Sequence, residues 1–437
     1  MRRDAWSWGR LSVQPHERQA LYRREWVAAQ LAERPGGIAH GLGRSYGDQA
    51  LNDGGLLWDT RGLDRFIAFD STSGVLRCEA GVSLAEIAAL VLPQGWFLPV
   101  MPGTGWVTLG GAIANDVHGK NHQRRGSFGE HVLGLTLARS DGQIIECGPG
   151  HDADWHRATI GGMGLTGVIT DATLQLMRVD GMAIESQSQP FATLAEFLRL
   201  SGAADSEGWE YSVAWIDALA TRGDSLRGIF FRGRHAAGNG PTPQQPRAWR
   251  VPFTPPLSPL AGPTLRLFNR LYHARQSRHA GAMRQESWQA FFHPLDQVDE
   301  WNRLYGPRGL VQYQCVLPRA VQREATGELL RGVAEAGQGS FLGVLKCFGE
   351  RPSAGLLGFA MPGITVALDF PHRGAQTLAL FERLDAIVQR AGGRLYMAKD
   401  ARMPRAMFEA GYPEWPSFER YRDPGLSSAM SRRLFGH

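Results

Sequence analysis

Cysteine is scarce: Cys78, Cys147, Cys315 and Cys347 are the only four in 437 residues, and they lie far apart. No C-x-x-C or zinc-like spacing links them, so neither a redox dithiol nor a structural metal has support, and free thiols in a reducing compartment are expected. Long apolar runs are also missing. The longest stretch, Ala88 to Met101, is interrupted by Pro93, Gln94 and Pro99, well short of the roughly 18 residues a spanning helix needs. Met1-Arg2-Arg3-Asp4 is followed by no apolar core of a signal peptide, so a cytoplasmic protein without a cleaved leader is expected. Charge of one sign is not in large excess. The 47 basic and 42 acidic residues leave a net +5 without a basic block, which argues against a dedicated nucleic-acid binder and leaves an acidic or phosphorylated small substrate open.

Lysine is the most informative scarcity. Of the 47 basic residues only Lys120, Lys346 and Lys399 are lysines, so positions that merely need positive charge have been filled with arginine. A lysine kept in that background marks a place where a compact, titratable amine differs from a fixed planar guanidinium; chance survival is the competing explanation for each one. Glycine, by contrast, is abundant at 54 residues, within a 43% hydrophobic composition long enough for two or three domains.

Up to about residue 180 the chain reads as a glycine-turned α/β segment. Strands are expected at 37–40, 55–58, 66–69, 75–80, 133–138 and 143–146, and Ser83 with Glu86 forms a capping box opening a helix to Leu92. From about Gly181 the composition changes to long helices, such as 193–200, and strands at 211–216, 311–316 and 364–370, which places a domain boundary there. Ala236 to Pro263 holds eight prolines and reads as an irregular mobile loop. After it, Leu265, Phe268, Leu271 and Tyr272 fall at helical spacing beside Arg266, Arg270, Arg275 and Arg278. This is either a basic amphipathic helix touching a membrane surface or a surface helix with its apolar face on the core.

Three glycine clusters carry the chemistry. Gly41-Leu42-Gly43-Arg44-Ser45-Tyr46-Gly47-Asp48 fails as a dinucleotide fingerprint, because Tyr46 stands where the third glycine belongs and no helix pattern follows. It matches G-x-S-x-G literally at Gly43 to Gly47, but a nucleophile elbow also needs a helix after the serine. A turn whose N–H groups cradle a pyrophosphate needs none, and a plain tight turn stays open. The second cluster, Met101 to His122, has six glycines, which let backbone approach a large ligand. His118 and His122 are four apart, but Gly119-Lys120 between them breaks a helix and sets an ammonium beside any dication, so no metal is expected. The third, Gly161 to Gly167, runs into a strand.

In this order and spacing, the segments 41–48, 102–120 and 161–169 resemble the FAD-binding domain of vanillyl-alcohol-oxidase-type flavoproteins. Segments 300–307, 311–314 and 396–402 resemble, more narrowly, the decaprenylphosphoryl-β-D-ribose 2'-oxidase family. The resemblance implies a two-domain α+β fold: an FAD-binding domain at 1–181, completed by 394–437, and a substrate domain at 182–393 built on an antiparallel sheet. It places FAD along Gly41, Leu42, Gly43, Arg44, Ser45, Tyr46, Gly103, Thr104, Val107, Thr108, Gly110, Gly111, Asn115, His118, Gly119 and Ile169, closed by Tyr396. Many relatives attach flavin covalently to a histidine in the first turn. Here that residue is Tyr46, so non-covalent FAD is expected.

The implied activity is oxidation of the 2'-hydroxyl of a polyprenyl-phosphoryl pentose to the keto sugar. An NAD(P)H-dependent short-chain reductase would complete an epimerisation towards arabinose, and oxygen or quinone would take the electrons. Lys399 is implied as base or alkoxide stabiliser, and Lys346 and Lys120 as phosphate-holding groups. His118, Tyr305, Gln314 and Asp369 complete a polar wall, and Trp215 either packs on the sugar or sits in the core. The mycobacterial enzymes have a cysteine beside the flavin where this chain has Ala367. The competing readings are an oxidase of a soluble sugar, alditol or aldonolactone, a serine hydrolase built on Ser45, and a non-catalytic flavin or phospholipid carrier.

Overall fold

The computed structural model describes residues 2–11, 15–238, 248–260 and 262–436. The chain opens with a four-stranded sheet in the order Arg2–Asp4, Pro15–Ala20, Leu56–Asp59, Gly37–His40. Next comes a five-stranded antiparallel sheet, ordered Phe66–Asp70, Val75–Glu79, Val168–Gln175, Val132–Ala138, Ile144–Cys147. Leu76, Cys78, Leu135, Leu137, Ala172 and Leu174 from this sheet share a core with Ile87, Val91 and Leu109 of two covering helices. The first of these, Leu84–Val91, starts at the expected capping box: Glu86 N donates to Ser83 Oγ (3.2 Å) and Ser83 N to Glu86 Oε2 (2.8 Å), a motif worth about 1 kcal/mol.

The segment from Ala183 to Leu395 builds an eight-stranded antiparallel sheet. Its order is Arg284–Ser287, Ala183–Thr193, Ser225–His235, Tyr211–Arg222, Gly343–Phe348, Gly363–Pro371, Leu310–Pro318, Arg394–Leu395. Side chains alternate across the pleat. One face buries Ala214, Ile216, Phe230, Tyr313, Cys315, Leu345, Val366 and Leu368 beneath the helices Leu194–Ser206, Gln322–Glu335 and Ala375–Arg390. The opposite face carries Trp215, Val344, Lys346, Gln312 and Gln314, and it is the one that meets the glycine-rich segments. After Leu395 the chain returns to the first sheets. Asp423 accepts from Ser140 N (2.8 Å), and Ser427 N donates to Gly37 O (3.0 Å).

Two expectations need correction. Of the proline-rich stretch 236–263, residues 239–247 and 261 lie outside the described residues. The remainder is not uniformly irregular: Trp249–Arg250 pairs in parallel with Val298–Asp299, and a helix begins at Gly262. Pro263 stands in its first turn, where a missing N–H leaves no intrahelical bond unmade. In that helix, Gly262–Ser277, the expected apolar set does not share one face: Leu265 is buried and Tyr272 packs on Trp215 (4.8 Å), while Phe268 and Leu271 are 44% and 61% exposed. Among the described residues no helix is long and apolar enough to cross a membrane.

Candidate active site

The first glycine turn leaves the strand Gly37–His40 and is clasped from both ends of the chain. Trp8 N donates to Ser45 O (2.7 Å), Tyr46 N donates to Ala398 O (3.1 Å), and the Arg433 guanidinium donates to both Asp48 oxygens (3.0 and 2.8 Å). A Cβ on Gly47 would lie 1.7 Å from the Asp400 carbonyl oxygen, so any side chain there would push the C-terminal segment off the turn. No helix follows Ser45, whose hydroxyl accepts from Gln49 Nε2. The same amide donates to Asn115 Oδ1 at 2.9 Å. An amide partner cannot deprotonate a serine, so the nucleophile-elbow reading fails.

A cavity of about 540 Å³ opens between this turn and the large sheet, within the roughly 300–1,000 Å³ of ligand sites. Every residue assigned above to the cofactor lines it, from Gly41 through Tyr46, along Gly103 to Gly119, to Ile169 and Tyr396. Thr104 Oγ1 and Gly105 N both donate to Asp296 (2.9 and 3.0 Å), which fixes the second loop. Tyr396 OH donates to Asn115 O (2.7 Å) and its ring stacks on Phe359 (4.5 Å), pinning the C-terminal side to the helix Leu109–Ala114. Arg44 lies over the Trp8 ring (4.3 Å), its Nε buried without a hydrogen-bond partner, and burial lowers its pKa. A buried cation with an unpartnered Nε beside a glycine-rich turn is what a diphosphate would satisfy. With an elongated cavity beyond it, the site fits FAD.

At the sheet end, register assembles the polar wall. Gln314 pairs with Ala367, Ala367 with Val344 and Val344 with Trp215, so one row crosses four strands. Beside it, Lys346 Nζ lies 2.8 Å from His118 Nδ1, and Gln314 Nε2 lies 2.9 Å from His118 Nε2. Burial, then the Lys346 charge, holds His118 well below the ordinary imidazole range. The neutral ring donates from one nitrogen only. With Lys346 as ammonium, Nδ1 accepts and Nε2–H points at the Gln314 carboxamide oxygen. With Lys346 as amine, Nδ1–H can instead donate to it, and Nε2 then accepts from Gln314 Nε2. Burial, helped by Lys120 and Lys399, lowers Lys346 to about 7.

Lys399 Nζ stands 3.8 Å from the Tyr46 ring centroid, a cation–π seat. Burial lowers its pKa while Asp369 opposes the shift. Lys120 donates to Phe291 O and lies 4.4 Å from the centre of that ring, and burial lowers it to about 8. Trp215 lines the cavity with Nε1 donating to Phe341 O (2.9 Å). His122 does not join His118: its Nδ1 accepts from Gly349 N (3.2 Å) and its ring packs on Phe348 (4.3 Å). Among the described residues no cluster of three or more metal-ligating side chains forms.

Two members of the expected wall stand behind it. Tyr305 is buried with Tyr46, Trp301 and Leu310, and its OH has no partner. Asp369, fully buried, accepts from Gln312 Nε2 through one oxygen, while the other has no partner. Burial raises its pKa. Neither lines the cavity: Asp369 pairs in register with Gln312, which does, and Tyr305 packs against Tyr46, which does. Asp369 thus bears on Lys399, whose charged form its carboxylate favours. Exchanging Asp369 for Asn removes the group that opposes burial, so the Lys399 inflection in the pH profile of flavin reduction is expected to move to lower pH; an unmoved inflection would disprove the coupling. Gln312, Gln49 and Asp296 are site residues the sequence reading passed over. For Gln312 a signal existed, since it lies two residues before Gln314 and so on the same strand face.

Residues 26–148 match a family profile described as an FAD binding domain. The chain belongs to the FAD-linked oxidase family and is an FAD-dependent oxidoreductase acting on CH–OH groups. Over nearly its whole length, 98% of this chain and 96% of the relative, it is 35% identical to decaprenylphosphoryl-β-D-ribose oxidase of Mycolicibacterium smegmatis. More distant relatives match only in part: mouse L-gulonolactone oxidase is 30% identical over 31% of this chain and 30% of its own. Rat mitochondrial D-2-hydroxyglutarate dehydrogenase is 31% identical over 27% of this chain and 23% of its own.

Proposed function

We propose that this enzyme oxidises the 2'-hydroxyl of a polyprenyl-phosphoryl ribose to the 2'-keto sugar, the first half of an epimerisation to the arabinose form. The observation that carries the reading is the meeting of all three lysines of the chain in one cavity, together with full-length similarity to an oxidase of such a substrate. Bound along the turn Gly41 to Tyr46 and the segment Gly103 to Gly119, FAD would supply the hydride-accepting chemistry for C2'. Lys399 in its neutral form takes the hydroxyl proton or, as ammonium, stabilises the developing alkoxide. Lys346 and Lys120 hold the phosphate, and His118 with Gln314 orients the sugar. Trp215 covers it.

The proposal extends to the organisation of the chain and its partners. Residues 1–181 with 394–437 form the FAD-binding unit and 182–393 the substrate unit. A short-chain NAD(P)H-dependent reductase consumes the keto sugar, oxygen or quinone takes the electrons, and the lipid tail brings the enzyme to a bilayer surface. FAD is held without a covalent bond, since the first turn offers Tyr46 where a histidine would attach it.

One experiment tests substrate and cofactor together. The purified protein should be yellow, acid precipitation should release all of the flavin into the supernatant, and anaerobic polyprenyl-phosphoryl ribose should bleach the 450-nm band on the order of the turnover rates of typical enzymes. Flavin kept in the pellet would disprove non-covalent binding. Bleaching by water-soluble sugars as readily as by the lipid-linked one would move the assignment to a soluble sugar oxidase.

A further inference from the structure

From Ser225 to Gln285 the chain contains no aspartate or glutamate and ten arginines. Arg227, Arg232 and Arg234 pair with Asp217, Glu207 and Glu185. Arg266, Arg270, Arg275 and Arg278 are exposed on the helix Gly262–Ser277 or just beyond it, with no ion-pair partner among the described residues. Apolar exposure concentrates in the same stretch. Of seventeen large apolar side chains exposed among the described residues, six lie between 249 and 271: Trp249 (79%), Phe253 (66%), Leu257 (84%), Leu267 (58%), Phe268 (44%) and Leu271 (61%).

The helix carries two stripes. At 100° per residue, Leu265, Asn269, Tyr272 and Gln276 fall on one side and Leu267, Leu271 and Ala274 on the other. The first stripe is anchored: Asn269, fully buried, donates to Asp217 Oδ1 (2.8 Å), and Tyr272 and Gln276 line the cavity. The second faces outward with arginines on its flanks, the reverse of a water-facing helix surface. An apolar stripe flanked by unpaired cations and few acids is the pattern that seats in an anionic lipid interface, with leucines among the acyl chains and guanidiniums on the phosphates. Because the same helix lines the cavity with its inner stripe, seating it would hold the substrate chamber against the lipid.

We propose that the outer stripe of the helix Gly262–Ser277 docks this enzyme on an anionic phospholipid surface. The inference rests on the lipid-linked substrate reading and adds the surface and the lipid charge. The test is co-sedimentation of the FAD-loaded enzyme with phosphatidylcholine vesicles that contain or lack phosphatidylglycerol, for the native chain and for Leu267→Glu/Leu271→Glu. The native enzyme is expected to bind the anionic vesicles, to lose most of that binding in high salt, and to bind about tenfold or more weakly as the double variant. In detergent the variant should reduce its flavin with polyprenyl-phosphoryl ribose at the native rate, which shows that it folds. Equal binding to neutral vesicles, unchanged binding by the double variant, or a dimer in sedimentation velocity that the double variant dissolves would overturn docking. Failure of the native enzyme to be reduced in detergent would instead overturn the substrate reading, whatever the vesicles show.

Discussion

Exchanging Lys399 for methionine is expected to slow reduction of the bound flavin by substrate about 10²–10³-fold, the size of a lost acid–base partner, while FAD content stays at the native level. Methionine keeps the stem's length and apolar bulk, so the change removes the amine and little else. The amine stands on Tyr46, at the junction of the flavin-side turn and the large sheet, with Asp369 behind it. Its lowered pKa brings a neutral, proton-accepting form closer to physiological pH than a solvated lysine would allow. Stopped-flow absorbance under anaerobic conditions reads the step directly, and the visible spectrum of the variant reports FAD retention. Reduction within a few-fold of the native rate would remove Lys399 from the chemistry.

The location of the site was legible in the sequence to an unusual degree, because its signals are local. A glycine needed for close approach, such as Gly47 beneath Asp400, is visible as a glycine wherever its partner lies. Lysine in an arginine background pointed to Lys120, Lys346 and Lys399, and the structure brings all three to one cavity. The capping box at Ser83 is another short-range device, and its helix starts there.

The rest depends on pairings between distant segments. The row Trp215, Val344, Ala367, Gln314 exists only because four strands spread between Tyr211 and Pro371 share a register. No spacing in the chain announces it. Asp296 was missed for the same reason: it fixes a loop at Thr104 and Gly105 from nearly two hundred residues away. Tyr305 and Asp369 were brought to the right neighbourhood but one layer too far forward, since sequence does not distinguish a residue on a cavity wall from one supporting it. Depth also decided the helix Gly262–Ser277. Its apolar spacing gave the helix, but only the packed structure separates the inward Leu265 from the outward Leu271.

Lys346 and His118 yield the second large effect. A phosphate beside Lys346 favours its ammonium form and therefore raises a pKa that burial and the other two lysines have lowered to about 7. At pH 8 the free enzyme holds Lys346 mostly as amine, so substrate binding should take up a proton there; at pH 6 the ammonium is already present and uptake should vanish. Calorimetry in two buffers of different ionisation enthalpy measures this. The uptake also sets the tautomer of His118, because an ammonium at Nδ1 leaves the ring proton on Nε2, facing Gln314. Lys346→Met should remove the larger share of that uptake, leaving the smaller share of Lys120, whose pKa is about 8, and raise KM about tenfold to a hundredfold, the range of a lost hydrogen bond to a charged group, with a smaller change in kcat. The native KM should rise as pH passes above 7, and in the variant that rise should begin only nearer pH 8, where Lys120 loses its proton. Proton uptake undiminished in Lys346→Met would assign the phosphate to Lys120 alone, whose own pKa of about 8 would place the whole pH dependence about one unit higher.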